Sequence, residues 1–504
     1  MGAMLSRPPV RKTWKHVCWC TADWRLFRFR VHEQFPFQVF GVYQKRQVCR
    51  SVSLQIQKKA FIRHQEIIQA LKPSDFDQAS REEVEGRPFS HEGVRALRQH
   101  LRAVRSKVIG TDENRLSMRS KAWSTTAVFG PPSLWITINP SDQDPIAQVI
   151  AGADIDLNCF DTTAGPTAEQ RARNVASDPF ASAKSFHFII NTLLDVVFGI
   201  RKTPKGVERR PGVFGTVRAY IGTVEAQGRG TLHLHMLLWL KDAPPANVMQ
   251  MALQDERFRQ RVREFIKSTI HADIDNKPTE AILQIPKRHA ASYSRPIDAV
   301  TSEHESAMEA KVLARTLQFH KCNTATCLRT SNGRLVCKRK APFALSAEEW
   351  VNAEGEWGPK RTCTNLNNWN PWIMRCIRAN HDTKLIMNGV ETCVLLLYIT
   401  NYAFKKQNRS SNASALIARR LAFQHAEPGA KQSAVANNNL ESYNKRLLQR
   451  CANALLTLRE FSGPEIMSYL MEWGDRFESH KYINFYMDGA LWALKRTYPG
   501  LNQT

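Results

Sequence analysis

No apolar run in this 504-residue chain is long enough to cross a membrane. The longest, Cys393 to Ile399, is far short of the roughly 20 residues a spanning helix needs, and it reads as a buried helix segment. The amino terminus lacks a hydrophobic signal core, so secretion is not expected. Met1 to Ser6 fits a loose myristoylation pattern, but Arg7, Pro8 and Pro9 follow, and a single acyl chain anchors poorly. Nothing has the glycine–lysine spacing of a phosphate-cradling loop. The nearest stretch, Gly355 to Lys360, has the wrong glycine separation and a proline where free amides are required. No internal repeat is visible. Acidic residues are scarce: 46, against 71 lysines and arginines, leave a net charge of +25. Such a surplus favours polyanions through counterion release and says nothing about sequence preference. The charge is spread along the chain, with local clusters at Arg201 to Arg210, Lys338 to Lys340 and Arg419-Arg420. No amphipathic basic helix stands out, so nucleic acid is favoured over a membrane surface.

A hydrophobic content of 43% with 12 tryptophans argues against global disorder, and the length allows two or three packed units. Eleven cysteines in a chain without a secretion signal should be reduced, so a cluster suggests metal rather than disulfides. His320, Cys322, Cys327 and Cys337 form such a cluster among the turn formers Asn323, Ser331, Asn332 and Gly333. Three thiolates and one imidazole match a closed structural Zn²⁺ site, although the spacing is unlike a C-x-x-C pair and free cysteines are the alternative. Cys18 and Cys20 sit in a basic, poorly patterned tail, and Cys363, Cys376, Cys393 and Cys451 are scattered.

Two further segments carry chemistry. Gly222 to Leu240 reads GTVEAQGRGTLHLHMLLWL. Side chains alternate faces along a strand, so His233 and His235 point the same way. The run Val213 to Ala226 is β-branched and apolar, and Gln227 to Thr231 supplies turn chemistry, so a β-hairpin is expected. Its His/His/polar face would suit a divalent metal; a satisfied histidine pair beside a core strand is the alternative. A hairpin brings Gln227 across from the histidines as the first choice for a third ligand, with Glu225 as runner-up. A set of imidazoles and an amide suits Mg²⁺ or Mn²⁺. The second segment, Leu395 to Gln407, reads LLLYITNYAFKKQ. On a helix Tyr398 and Tyr402 share one face, with Lys405 and Lys406 one turn on. Two amphipathic core tyrosines with extended lysines would give the same pattern.

Together these stretches resemble the Helitron transposase family, whose amino-terminal part is a rolling-circle replication initiator (Rep) domain of the HUH endonuclease class. Ser133 to Gly152, SLWITINPSDQDPIAQVIAG, is similar to that family's first motif. Gly222 to Leu240 resembles its metal-binding motif, including the Glu225, Gln227 and Arg229-Gly230 lead-in, and Tyr398 to Lys406 resembles its two-tyrosine motif. Weaker similarity runs through Phe35 to Arg50, Asp178 to Asn191 and Ser442 to Tyr482.

The resemblance implies an α+β fold, with an HUH-type antiparallel sheet flanked by helices. It implies an endonuclease and strand transferase that nicks and rejoins single-stranded DNA. Tyr398 or Tyr402 would be the nucleophile, His233 and His235 would hold the metal, and Arg229, Lys405 and Lys406 would contact DNA. A nuclear location is implied as well. The family fuses the Rep domain to a helicase and this sequence stops where a helicase would begin, so the expectation is a helicase-less Rep protein served by a helicase in trans. A catalytically silent DNA-binding remnant of a transposon protein is the main alternative. Zinc hydrolases would need further ligands that Met236 to Leu240 does not offer, and no RNA-recognition signature is evident.

The expected organisation is a basic tail over 1–30, a mainly helical region over 31–130, a nuclease core over 131–425 with the Cys/His insert at 315–345, and a helical extension over 426–504. Helices are expected at Leu54 to Leu71, His91 to Val108, Pro145 to Ile150, Ala181 to Phe198, Ala246 to Ile270, Ala413 to Gln424 and Leu440 to Trp473. A strand is expected at Leu134 to Ile138, and the span 275–380 reads largely as loops.

Overall fold

The computed structural model describes residues 32–142, 145–152, 167–204, 206–226, 230–287, 297–298, 300–325, 327–331, 333–387, 412–426, 440–483 and 487–498. The fold is α+β. Among the described residues its main sheet has five strands: β1 (Leu134–Asn139), β2 (Val217–Ala226), β3 (Leu232–Leu240), β4 (Asn380–Leu385) and β5 (Arg476–Glu478). They lie in the order β4-β1-β3-β2-β5, and every neighbouring pair is antiparallel.

Period-2 alternation gives this sheet two different faces. Leu134, Ile136 and Ile138 of β1, with Leu234, Met236 and Leu238 of β3, face the largest core. That core is closed by the helix Pro179–Val196 through Phe186, Ile190 and Leu193. The helix starts where Asp178 accepts a hydrogen bond from the Ala181 N–H and Pro179 occupies the first turn, a favoured N-terminal arrangement. Gly222 sits on this face of β2. A Cβ there would come within 3.0 Å of Leu234 and 3.1 Å of Met236, so a side chain would have to displace the core.

The other face carries Trp135, Ala219, Ile221, Leu237 and Trp239 at one end, under Met118 and Ala122 of the helix Asp112–Phe129. Thr111 caps that helix by accepting from the Asn114 N–H. Trp239 donates its indole N–H to the Gly130 carbonyl at 2.8 Å and fastens the far end. Towards the β2–β3 turn the same face becomes polar. That is where the histidines lie.

The helices Phe35–Ile56, Asp75–Glu85 and Glu92–Arg105 share a second core with Ala413–His425 and Leu440–Leu456. Residues from the first and last parts of the chain therefore pack together. Several expected elements divide. The helix expected over Leu54 to Leu71 is the end of Phe35–Ile56 followed by Lys59–Gln69. Ala246 to Ile270 breaks at Asp255, whose carboxylate caps the second helix through the Arg257 N–H. Leu440 to Trp473 breaks before Ser462, which caps Gly463–Leu470. The span 275–380 is less irregular than expected. It contains the helix Glu303–Leu317, packed through Leu313 and Ala314 on Ile274, Ile282 and Trp369.

Candidate functional site

The β2–β3 register sets the site. Glu225 is the cross-strand partner of His233, and Thr223 is the partner of His235. On the other side of β3, Thr137 of β1 is level with His235. Glu225, His233 and His235 therefore project from one face of two central, hydrogen-bonded strands. Their ligand atoms converge: His233 Nε2 and His235 Nε2 are 3.0 Å apart, and Glu225 Oε2 lies 3.5 Å and 3.6 Å from them. Ligand atoms with bonds of about 2.1 Å to one ion are separated by about 3.0–3.5 Å at right or tetrahedral angles, so these three fit a single cation.

The surroundings favour the ligand-competent protonation states. Thr137 Oγ1 lies 3.0 Å from His235 Nδ1, and the Trp135 indole stacks on the His235 ring at 5.2 Å. With Nδ1 engaged by the hydroxyl, Nε2 is turned to the cluster. Burial lowers the His235 pKa, which keeps the imidazole neutral. Burial pushes the Glu225 carboxyl up, but hydrogen bonds from His233 and His235 more than offset it and hold the group at about 2. His233 Nδ1 is buried without a hydrogen-bond partner among the described residues, which leaves that ring oriented through its Nε2 side.

Behind Glu225 lies a buried charged network. Arg115 reaches Thr223 Oγ1 at 3.4 Å and the Val224 carbonyl at 3.3 Å. Its guanidinium pairs with Glu465 at 3.7 Å and Asp475 at 3.8 Å. Burial opposes its charge, but Asp475, Tyr469, Glu465 and Glu225 together raise its pKa. Tyr469 donates to Asp475, whose backbone carbonyl accepts from the Val224 N–H. The strand that carries Glu225 is thus tied to helix Asp112–Phe129 on one side and to residues 465–475 on the other.

A second cluster forms in the Cys/His insert. The ligand atoms of His320, Cys322, Cys327 and Cys337 all lie within 4.8 Å of one another. His320 Nε2 is 3.2 Å from Cys337 Sγ and 3.4 Å from Cys322 Sγ. Cys337 ends the hairpin Leu328–Ser331/Arg334–Cys337, and the His320 backbone is anchored by its N–H to the Asn365 carbonyl. Backbone N–H groups of Asn323 and Arg339 point at Cys327 and Cys337 sulfurs, at 3.2 Å and 3.4 Å. Burial raises the Cys337 thiol, but N–H groups of Ala341 and Arg339 bring it below the usual thiol range. Desolvation and the neighbouring Cys337 push Cys322 up to about 11. A cluster of this kind could hold a metal.

Residues 19–238 match the family described as the Helitron helicase-like domain at the N-terminus. That stretch is similar to the amino-terminal domain of Helitron-type proteins. The matched Helitron-type region contains Glu225, His233 and His235 and ends inside β3; the Cys/His cluster lies beyond it. No curated protein matches the chain. No described helix is long and apolar enough to cross a membrane.

Of the residues expected at the site, Glu225, His233 and His235 come together, and so do His320, Cys322, Cys327 and Cys337. Gln227, Arg229, Tyr398, Tyr402, Lys405 and Lys406 lie outside the described residues, as do the tail over 1–30 with Cys18 and Cys20, and also Cys393. Sequence reasoning missed Thr137, Trp135 and Arg115. The alternation in LWITIN places Trp135 and Thr137 on one strand face and could have flagged them. Arg115 carries no local signal.

Proposed function

We propose that the Helitron-type region is a metal-dependent endonuclease that nicks and rejoins single-stranded DNA through a tyrosine-linked intermediate. The observation that carries this reading is the convergence of Glu225, His233 and His235 on adjacent central strands within the matched residues. We assign Glu225 as the third ligand, because its Oε2 lies within 3.6 Å of both imidazole nitrogens. A bound Mg²⁺ or Mn²⁺ would supply Lewis-acid polarisation of the scissile phosphate.

The chain supplies the rest. Thr137 and Trp135 hold the His235 ring, and Arg115 holds the strand bearing Glu225. Tyr398 or Tyr402, assigned from the sequence, provides the phenolate. Its oxygen, having given up its proton to solvent, forms a bond to phosphorus as the bond from phosphorus to the 3′ oxygen breaks; the departing 3′ oxygen takes up a proton from solvent, leaving a 3′-hydroxyl and a 5′-phosphotyrosyl ester. The ester retains the phosphodiester's bonding, so attack by a second 3′-hydroxyl rejoins strands and frees the tyrosine. The net charge of +25 supports a DNA partner. We assign the Cys/His cluster as a structural Zn²⁺ site, since three thiolates and an imidazole suit that ion.

Incubating the protein with end-labelled single-stranded DNA and Mn²⁺ tests the reading. A covalent protein–DNA adduct is expected, mapped to Tyr398 or Tyr402 and absent when both are Phe. His233→Ala and His235→Ala should abolish it with DNA binding retained, and Glu225→Ala should cost more adduct than Gln227→Ala. Undiminished adduct in the double tyrosine variant would overturn the nucleophile. Binding without any adduct would identify a silent DNA-binding remnant instead.

A further inference from the structure

The sheet ends in a cavity at the edge opposite the metal-binding triad. It has a volume of about 320 Å³, within the range of small-ligand sites. It lies where β1 begins and β3 and β4 end, beneath the helix Glu256–Thr269. Its walls include Phe214, Phe258, Phe265 and Met249, and its polar groups include Asp242 and Arg261. The Phe214 and Phe265 rings are 6.5 Å apart, and the Arg261 guanidinium lies 5.5 Å from the centre of the Phe258 ring.

Aromatic walls with a cation on one ring suit a flat π-system. A carboxylate acceptor and a guanidinium donor lining one cavity suit the mixed donor and acceptor edge of a nucleobase. A bare phosphate would meet apolar walls and the Asp242 carboxylate. An aliphatic chain would leave both charges unused. The helix above also carries Arg257 and Lys267, cations of the kind that follow a phosphate backbone, while its Arg259 and Arg263 pair with Glu256. Leu240 at the cavity and His235 at the triad stand on the same strand, roughly 17 Å apart at the rise of an extended chain. Five residues apart, they point to opposite faces of the sheet, so the cavity lies against the core side and the triad on the other side.

We infer that this cavity receives one base of a single-stranded nucleic acid. The inference rests on the nucleic-acid reading above and adds to it a base-binding subsite that selects where the strand is held.

The test uses the full chain, with chelator present so that no cleavage occurs, and a set of oligonucleotides each carrying one fluorescent adenine analogue. One position should be strongly quenched by stacking, and removing that base from the strand should weaken binding roughly tenfold. Phe258→Leu keeps the apolar filling and Arg261→Gln keeps the length, and each should relieve the quenching at that position alone. If no position is quenched, or if abasic and intact strands bind equally, the subsite is wrong. Quenching without adduct formation in Mn²⁺ would sink the nicking reading and leave the subsite standing; adduct formation without quenching would do the reverse.

Discussion

Thr137 Oγ1 and His235 Nδ1 lie 3.0 Å apart across the β1–β3 ladder, where the two residues are register partners. The hydroxyl engages the ring nitrogen that faces away from Glu225 and His233. Thr137→Val keeps the side-chain shape and removes this contact. Outer partners of metal-bound histidines are typically worth about 10–100-fold in affinity or activity. The Mn²⁺ concentration for half-maximal adduct formation should rise about tenfold. An unchanged titration would show that Thr137 only packs.

Arg115 should be more important to folding than to chemistry. Arg115→Met would leave Glu465 and Asp475 facing each other in the interior. Breaking a buried ion pair on one side costs about 3–5 kcal/mol, so a shift of that size is expected in denaturant unfolding. A change below about 1 kcal/mol would mean that the neighbouring Arg459 and Arg476 already neutralise the pocket.

Purified protein should contain about one tightly bound zinc per chain that survives a weak chelator. A strong chelator should remove it and lower the melting temperature. Cys327→Ser should reduce the zinc content, because its buried sulfur is one of the four converging ligand atoms. Elemental analysis finding no zinc in folded protein would end the assignment.

His187 should make the fold acid-sensitive. Burial lowers its pKa to about 3, and its Nε2 lies 3.1 Å from Ser468 Oγ between two core helices. The imidazole is neutral in the fold, whereas the unfolded chain takes up a proton below about 6.5. The stability it contributes is complete above about pH 6.5 and is lost as the pH falls towards 3, by about 1 kcal/mol for the first unit. His187→Gln should flatten that part of the stability profile. An identical pH slope in wild type and variant would refute the linkage.

The legibility of the fold followed the range of the interactions. The β2–β3 hairpin and the Pro179–Val196 helix were readable because alternation, caps and an apolar stripe lie within a few residues of one another. The breaks at Asp255 and Ser462 were not anticipated, although both residues are good caps, because the apolar pattern continues through them. The Glu303–Leu317 helix was passed over because its stripe is short and covers only a small core. Strand β4, NHDTKL, is polar or charged at every position but the last and shows its role only when paired with β1.

At the site, the sequence by itself determined that His233 and His235 share a face, since a two-residue period leaves no other outcome on a strand. It determined the Cys/His grouping too, because all four ligands fall in one short, turn-rich segment. Only the tertiary structure decided that Glu225 stands opposite His233, that Thr137 meets His235 from a strand about a hundred residues earlier, and that Arg115 links β2 to residues 465–475. Those contacts depend on strand register and helix placement. Register and placement are set by burial of whole faces across the chain, so no local pattern contains them.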